Sequence, residues 1–491
     1  MATKKKSTKK NKKPTIKTII AVLFIVAILA VGLLIAPMIP ALEGKVYSVN
    51  LVVNKKEVTL AEGESLNLTY EAEFDYLGVF NQDLKDSVEI VYYDEEGNAV
   101  QDLTKSGTYK AIYTVKYRGT TKTSEVVIKV KPKVEGSAAK LEFHFIDPTS
   151  EYTYAGDAVY IKAGDTDILI DAGPRKGSAG IIEQYIDQYC TDKILEYVIA
   201  THADQDHIAG FVGTTTAKSI FEYYTCEVFI DFNLSDNPLT TNKGNPTLYA
   251  NYITKRDAAV NKGMKHYTAL DCWNETNGAQ KTYQIAEGIT MSILYNYYYE
   301  NKSSDENNYS VCVLFTETVN NKYFLFTGDL EEKGEEYLVQ YNNLPEVDLF
   351  KAGHHGSPTS SNDVLLEVIK PKIAVFTGVA GLDEYTKDID RIFPSTFAIN
   401  RIAKYTDKMY CLGCIRNGNY EALNGTTIVT CENGVVSVNC LNNNTLLKDS
   451  WWFNSDVEYY NTTNSNGAVQ MLLDSKHPTA DGTRKWRTWP E

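Results

Sequence analysis

At 491 residues, with 43% hydrophobic and 23% charged content, the chain exceeds one ordinary domain and has ample apolar material for a core. Its formal net charge of −14 becomes −22 once the eight lysines of the first seventeen residues are set aside. So acidic a body is a poor non-specific binder of polyanions, and a nucleic-acid substrate would need a local basic patch and metal to hold it. The chain opens on a basic segment (residues 1–18), and Ile19 to Ile39 then runs uncharged for about twenty residues. That length suits one membrane-spanning helix, and the lysines assign the N-terminal end to the cytoplasm and everything after Pro40 to the outside. The expectation is a single-pass cell-membrane protein with an extracellular catalytic part. A cleaved signal peptide is the rival, although the apolar run exceeds the usual h-region of about 7–15 residues.

From residue 45 to 132 the pattern is short alternating runs such as "YSVNLVV", "VEIVYY" and "YKAIYTVKY", with turns at Asp94–Gly97 and Lys105–Thr108. Strands at this spacing predict a small β-sandwich. The stretch "SGTYKAIYTVKYRGTTKTSEVVIKV" resembles the last strands of bacterial immunoglobulin-like surface modules, and a spacer is the expected role. "KVEGSAAK" (133–140) reads as a linker. Strands and helices then alternate from 140 to 440, an α/β pattern that carries its charged loops at strand C-termini, where such folds place sites. The tail, 441–491, is Asn-rich with four tryptophans and has no functional reading. The eight cysteines are even in number and lie on the outer side of the predicted span, where disulfides are allowed without being required. Cys411 and Cys414 form a lone CxxC without a second pair, which is read as structural.

The chemistry sits at three strand ends. The apolar "LEYVIA" (195–200) runs into "THADQDHIAG" (201–210), which puts His202, Asp204, Asp206 and His207 within six positions. Histidine and carboxylate suit divalent metals, and ligands from one tight loop lose little freedom on binding. "YFLFTGDL" ends at Asp329, and "VDLFKAGHHGS" ends at His354 and His355. Apolar strands that deliver Asp and His to one edge are what a convergent site requires.

In combination, "GDAVYI", "ILIDAG", "THADQDHIAG", "NNYSV", "FLFTGDL" and "FKAGHHGS" resemble the metallo-β-lactamase superfamily, and within it the hydrolase domain of ComEC-type competence proteins. The resemblance implies a four-layer αβ/βα sandwich holding one or two divalent ions, Zn²⁺ or Mn²⁺, at its edge. By position it implies His202, Asp204, Asp206 and His207 on the metal-binding loop, a bridging Asp329, and His354 as the last ligand. Asp171 is implied as an acid that supports the loop from behind, and Gly156 and Asp157 as a loop close to the site. Two features depart from the pattern. No histidine precedes the "TGD" strand, where Asn307, Asn308 and Ser310 stand instead, so one metal position is richer in oxygen and favours harder ions such as Mn²⁺. Phe393 precedes Pro394 where that branch carries a histidine, which puts the substrate in doubt more than the hydrolytic class.

The expected activity is hydrolysis of a phosphodiester, with DNA as one candidate substrate, by metal-activated water at Asp206, with His355 positioning the leaving group or phosphate. Ser357 and Lys351 are candidate phosphate contacts, and Arg175 and Lys176 are further members of a basic patch. His144 reads as a packed strand residue, and His266 and His477 as peripheral. A different ester (envelope phosphocholine, a nucleotide or a lactone) is the first alternative. A surface binding protein with a relic metal site is the second.

Overall fold

The computed structural model describes residues 42–454 except 62–65, 67, 132–135, 148–154, 383–385, 387–389 and 417–418. It also describes residues 30, 31, 36, 39, 461–463, 469–471 and 489. The predicted basic tail and the span at 19–39 fall almost wholly outside these residues. Among the described residues no helix is long and apolar enough to cross a membrane. The chain divides into two compact units, Met1–Lys133 and Val134–Glu491.

Among the described residues from Tyr47 to Lys131, the first unit is built from strands, with a short 3₁₀ turn at Lys85–Ser87. Tyr47–Val53, Tyr70–Tyr76 and Phe80–Asp83 form a three-stranded sheet. Five strands, in the order Glu57–Ala61, Thr120–Lys131, Gly107–Tyr117, Val88–Tyr93 and Ala99–Val100, form the second sheet. Period-two patterning explains the long hairpin: Ala111, Tyr113 and Val115 are buried together with Val126, Ile128 and Val130, while Lys110 and Lys129 face solvent. Arg118 and Gly119, both at positive φ, make the two-residue turn between them.

The second unit contains two eight-stranded sheets. One has the order Lys265–Thr268, Thr225–Asp231, Ile194–Ile199, Thr166–Ile170, Val159–Ala163, Leu141–Phe145, Thr427–Glu432, Val435–Cys440. The other has Thr282–Ala286, Ile289–Ile293, Val313–Glu317, Lys322–Phe326, Leu349–Lys351, Ala374–Ala380, Met409–Arg416, Asn419–Ala422. Phe143 joins the sheets, with its ring 5.4 Å from Phe315, 4.7 Å from Phe324 and 5.4 Å from Phe326. Ile182, Ile186, Ile208, Phe211 and Tyr252 bring helices onto the outer face of the first sheet. Leu338, Leu365, Leu366, Ile399 and Ile402 do the same for the second. This is the αβ/βα layering that the resemblance implied.

Two regions differ from expectation. The helix Leu248–Val260 was not anticipated, because its few apolar positions are diluted by Lys255, Arg256 and Asp257. The stretch read as a tail begins inside the domain: Leu447, Trp452 and Phe453 are buried in the core of the second sheet. All eight cysteines are buried free thiols. Burial pushes Cys411 and Cys414 up to about 12, which agrees with structural duty for the CxxC pair.

Candidate metal centre

Parallel pairing of Thr166–Ile170, Ile194–Ile199 and Thr225–Asp231 aligns three carboxyl ends at one rim of the first sheet. Lys322–Phe326, Leu349–Lys351 and Ala374–Ala380 do the same in the second sheet. The residues just past these ends converge. One ligand atom each from Asp206, His207, Asp329 and His355 lies within 4.8 Å of every other. The cluster is buried, with Asp206 the least enclosed member.

Asp171, held at a left-handed φ of 59° just past Ile170, organises the first half. Its carboxylate accepts from the Thr201 amide and hydroxyl, both at 2.8 Å, and lies 2.7 Å from His207 Nδ1. His207 therefore donates through Nδ1 and turns Nε2 toward Asp329 Oδ2, 3.1 Å away. The helix Gln205–Val212 carries this histidine, with Asp204 at its N-cap and Asp206 in its first turn, where an acid meets the positive end of the helix. The helix lies tight against the Asp171 loop. Ala172 N donates to His207 O at 2.8 Å, and a Cβ on Gly210 would sit 2.1 Å from Ala172 O.

The second half comes from the other sheet. Gly328, at φ 55°, lets Asp329 turn inward where any Cβ would meet the Ser310 side chain at 2.7 Å. Asp329 N donates to Ser310 Oγ at 3.0 Å. His354 and His355 both adopt left-handed backbone, with φ 46° and 52°, so their side chains diverge. His355 Nδ1 donates to the Thr377 carbonyl at 2.7 Å, and its Nε2 lies 3.1 Å from Asp206 Oδ2 and 3.2 Å from Asp329 Oδ2.

These contacts correct the predicted assignments. His355 joins the cluster. His354, expected as the last ligand, stays at the rim, with Nε2 3.9 Å from Asp329 Oδ2 and Nδ1 3.6 Å from Glu331. Its ring also lies 5.5 Å from that of Phe393. Lys351 is buried and ion-paired to Asp157 and Asp329, so it cannot serve a solvent-side phosphate. Ser357 is buried as well and hydrogen-bonds Thr359. Asn308 braces Glu331 N and the Ser303 hydroxyl. His202 and Asp204 form a second pole, with His202 Nε2 3.7 Å from Asp204 Oδ2. Asp157 lies 3.2 Å from His355 Nδ1. His144 is packed, as read, with Nδ1 2.7 Å from the Tyr185 hydroxyl. His266 pairs with the buried Asp231 at 2.7 Å, and His477 lies outside the described residues.

Three residues went unread. Thr201 and Thr377 fix the histidine tautomers, and Glu331 faces His354. Only Thr201, inside the "THADQDH" run, carried any sequence signal.

The electrostatics suit a cation. Burial disfavours the His207 imidazolium, but Asp329, Asp171 and Asp206 outweigh it and hold its pKa well above the usual value. His355 behaves likewise through Asp329 and Asp157. Burial pushes Asp329 up, yet His207, His355 and Lys351 reverse that and hold it well below the carboxylate range. In this arrangement protons on two Nε2 atoms neutralise carboxylates that would otherwise face a metal. At the other pole, burial and then His207 depress His202 to about 3, so its imidazole is neutral. Its Nε2 is a buried polar atom without a hydrogen-bond partner, as a metal-ligating nitrogen would be. Burial and Asp206 raise Asp204 to about 6. The donor set of imidazole and carboxylate fits one or two divalent ions. Glu331 and Thr359 also line an adjoining cavity of about 500 Å³, with Lys333, Arg391 and Phe397.

Residues 152–218 match the model of the metallo-beta-lactamase superfamily. "Competence protein ComA" of Neisseria gonorrhoeae is 43% identical over 77 residues, 16% of this chain and 11% of that protein. "ComE operon protein 3" of Bacillus subtilis is 36% identical over 70 residues, 14% of this chain and 9% of that protein. The chain thus spans about a tenth of the length of these curated relatives. Among solved structures, a metallo-beta-lactamase HARLDQ-motif mutant from Cronobacter sakazakii is 13% identical, covering 40% of this chain and 70% of that one, with a TM-score of 0.24. The metallo-beta-lactamase from Pontibacter korlensis is also 13% identical, covering 50% and 73%, with a TM-score of 0.19. The comparisons thus match residues 152–218 to the metallo-beta-lactamase superfamily and short stretches of the chain to curated proteins, one of them named a competence protein.

Proposed function

We propose that this protein is a membrane-anchored, outward-facing, metal-dependent phosphodiesterase. One observation carries the reading: Asp206, His207, Asp329 and His355 meet within 4.8 Å, and each imidazole has its Nδ1 engaged so that Nε2 faces the carboxylates. The family match supports a metal-dependent hydrolase. Anchoring and orientation rest on the lysine cluster and the apolar run at residues 19–39. These four residues would hold one ion, and His202 and Asp204 would hold a second. Such an ion supplies activation of water near neutral pH and neutralisation of charge on a phosphoryl oxygen. Asp171 and the Thr377 carbonyl keep the two imidazoles in the ligating tautomer. Phe393 lies against the rings of His354 and His355, and Glu331, 3.6 Å from His354 Nδ1, lines the cavity that would receive one ester group. The acidic body favours an envelope phosphodiester as much as DNA.

Stripping the full-length chain of metal, adding Mn²⁺ or Zn²⁺, and assaying bis-p-nitrophenyl phosphate tests this. Turnover should appear with the ion and vanish in Asp206→Ala and His207→Ala. No turnover with either ion, in a folded sample, would instead indicate a binding protein with a relic site. Comparing single-stranded DNA with phosphocholine esters then separates the substrates.

A further inference from the structure

Lys351 ends the strand Leu349–Lys351 in the interior of the second sheet, and its side chain is 3% exposed. Its Nζ lies 2.5 Å from Asp157 Oδ2 and 3.4 Å from Asp329 Oδ1, and donates to the carbonyls of Gly328 at 3.2 Å and Ala352 at 3.5 Å. The two oxygens of Asp329 are thus divided. Oδ1 faces Lys351, whereas Oδ2 faces His207 at 3.1 Å, His355 at 3.2 Å and His354 at 3.9 Å.

Four carboxylates, those of Asp157, Asp171, Asp206 and Asp329, are gathered in this one site. Buried anions persist only when paired, and removing one partner of a buried pair is far costlier than removing both. On the side of Asp329 turned away from the imidazoles, Lys351 is that partner, and it pairs with Asp157 as well.

We infer that Lys351 is a positioning residue that acts as the fixed counter-charge of the metal centre. It holds Asp157 and Asp329 in place before an ion arrives and reserves Asp329 Oδ1, so that the carboxylate offers the ion Oδ2 alone. The inference rests on the metal-centre reading above, but not on which ester is cleaved.

The test is thermal unfolding of the full-length chain, metal-free and with saturating Mn²⁺, for wild type, Lys351→Met and the double variant Lys351→Met with Asp157→Asn. Metal-free Lys351→Met should unfold about 10 °C below wild type. Its rise on adding Mn²⁺ should exceed that of wild type, because the ion replaces the missing charge. Failure to fold without Mn²⁺, relieved by Mn²⁺, supports the same conclusion. The double variant removes both partners of the pair, so its metal-free midpoint should return to within about 3 °C of wild type. An equal loss for Lys351→Met with and without Mn²⁺ would mark a merely structural lysine and overturn the inference. So would a double variant that does not recover. If wild type itself shows no Mn²⁺ shift, the metal-centre reading falls, and this inference with it.

Discussion

The seam around Phe143 and the cluster around Asp329 share the strand Lys322–Phe326, yet they obey opposite rules. In the seam, aromatic rings from two sheets touch and every contact is apolar. At the rim, past the carboxyl ends of strands in both sheets, four carboxylates and three buried imidazoles are enclosed with an ammonium. Charge that is excluded from the middle is tolerated at the edge because each of the four carboxylates there faces an imidazole or the ammonium. The seam makes the scaffold stiff enough for those assignments to hold.

The largest effect should come from breaking the seam. Phe143→Ala should cost about 3–5 kcal/mol of stability in urea unfolding, while a sample held below its midpoint keeps its Mn²⁺ stoichiometry. Loss of metal binding in a folded Phe143→Ala sample would show that the two regions are not separable.

His144 sharpens the contrast, as a histidine placed among aromatic rings instead of carboxylates. Burial lowers its pKa to about 4 from 6.5, so its contribution is complete above pH 6.5 and is lost as pH falls from 6.5 to 4. The loss amounts to about 3 kcal/mol, and His144→Phe should remove that part of the acid sensitivity in unfolding at pH 7 and pH 4.5. An unchanged slope would mean that the ring accepts a proton in place.

At the rim, Asp171→Asn should weaken Mn²⁺ affinity by about 10- to 100-fold in titration calorimetry with little change of fold, because it frees the His207 tautomer. The smallest effect belongs to neither region. Lys370→Ala breaks an exposed pair with Glu346 and should change stability by less than about 1 kcal/mol.

Much of the rim was legible because apolar strands that stop at Asp or His are unusual, and three of them in order are a pattern. The sandwich followed from the alternation of strands and helices. What the sequence hid was decided by contacts between distant segments. Which of His354 and His355 turns inward depends on two successive left-handed residues and on a carbonyl 22 positions later. A lysine beside a ligand motif reads as a solvent charge, and only the sheet on both sides of Leu349–Lys351 shows that it is enclosed. Trp452 was concealed by the Asn-rich residues around it.

The close seat of Gly210 on Ala172 has a mechanical consequence. With no slack between that helix and its neighbouring loop, Asp206 and His207 behave as a fixed jaw. Ions of different radius must then be accommodated by the opposite jaw, the loops bearing Asp329 and His355. Selection for a larger or smaller ion would therefore be expected to rewrite the segment from Gly353 to Ser357 before it touched the helix.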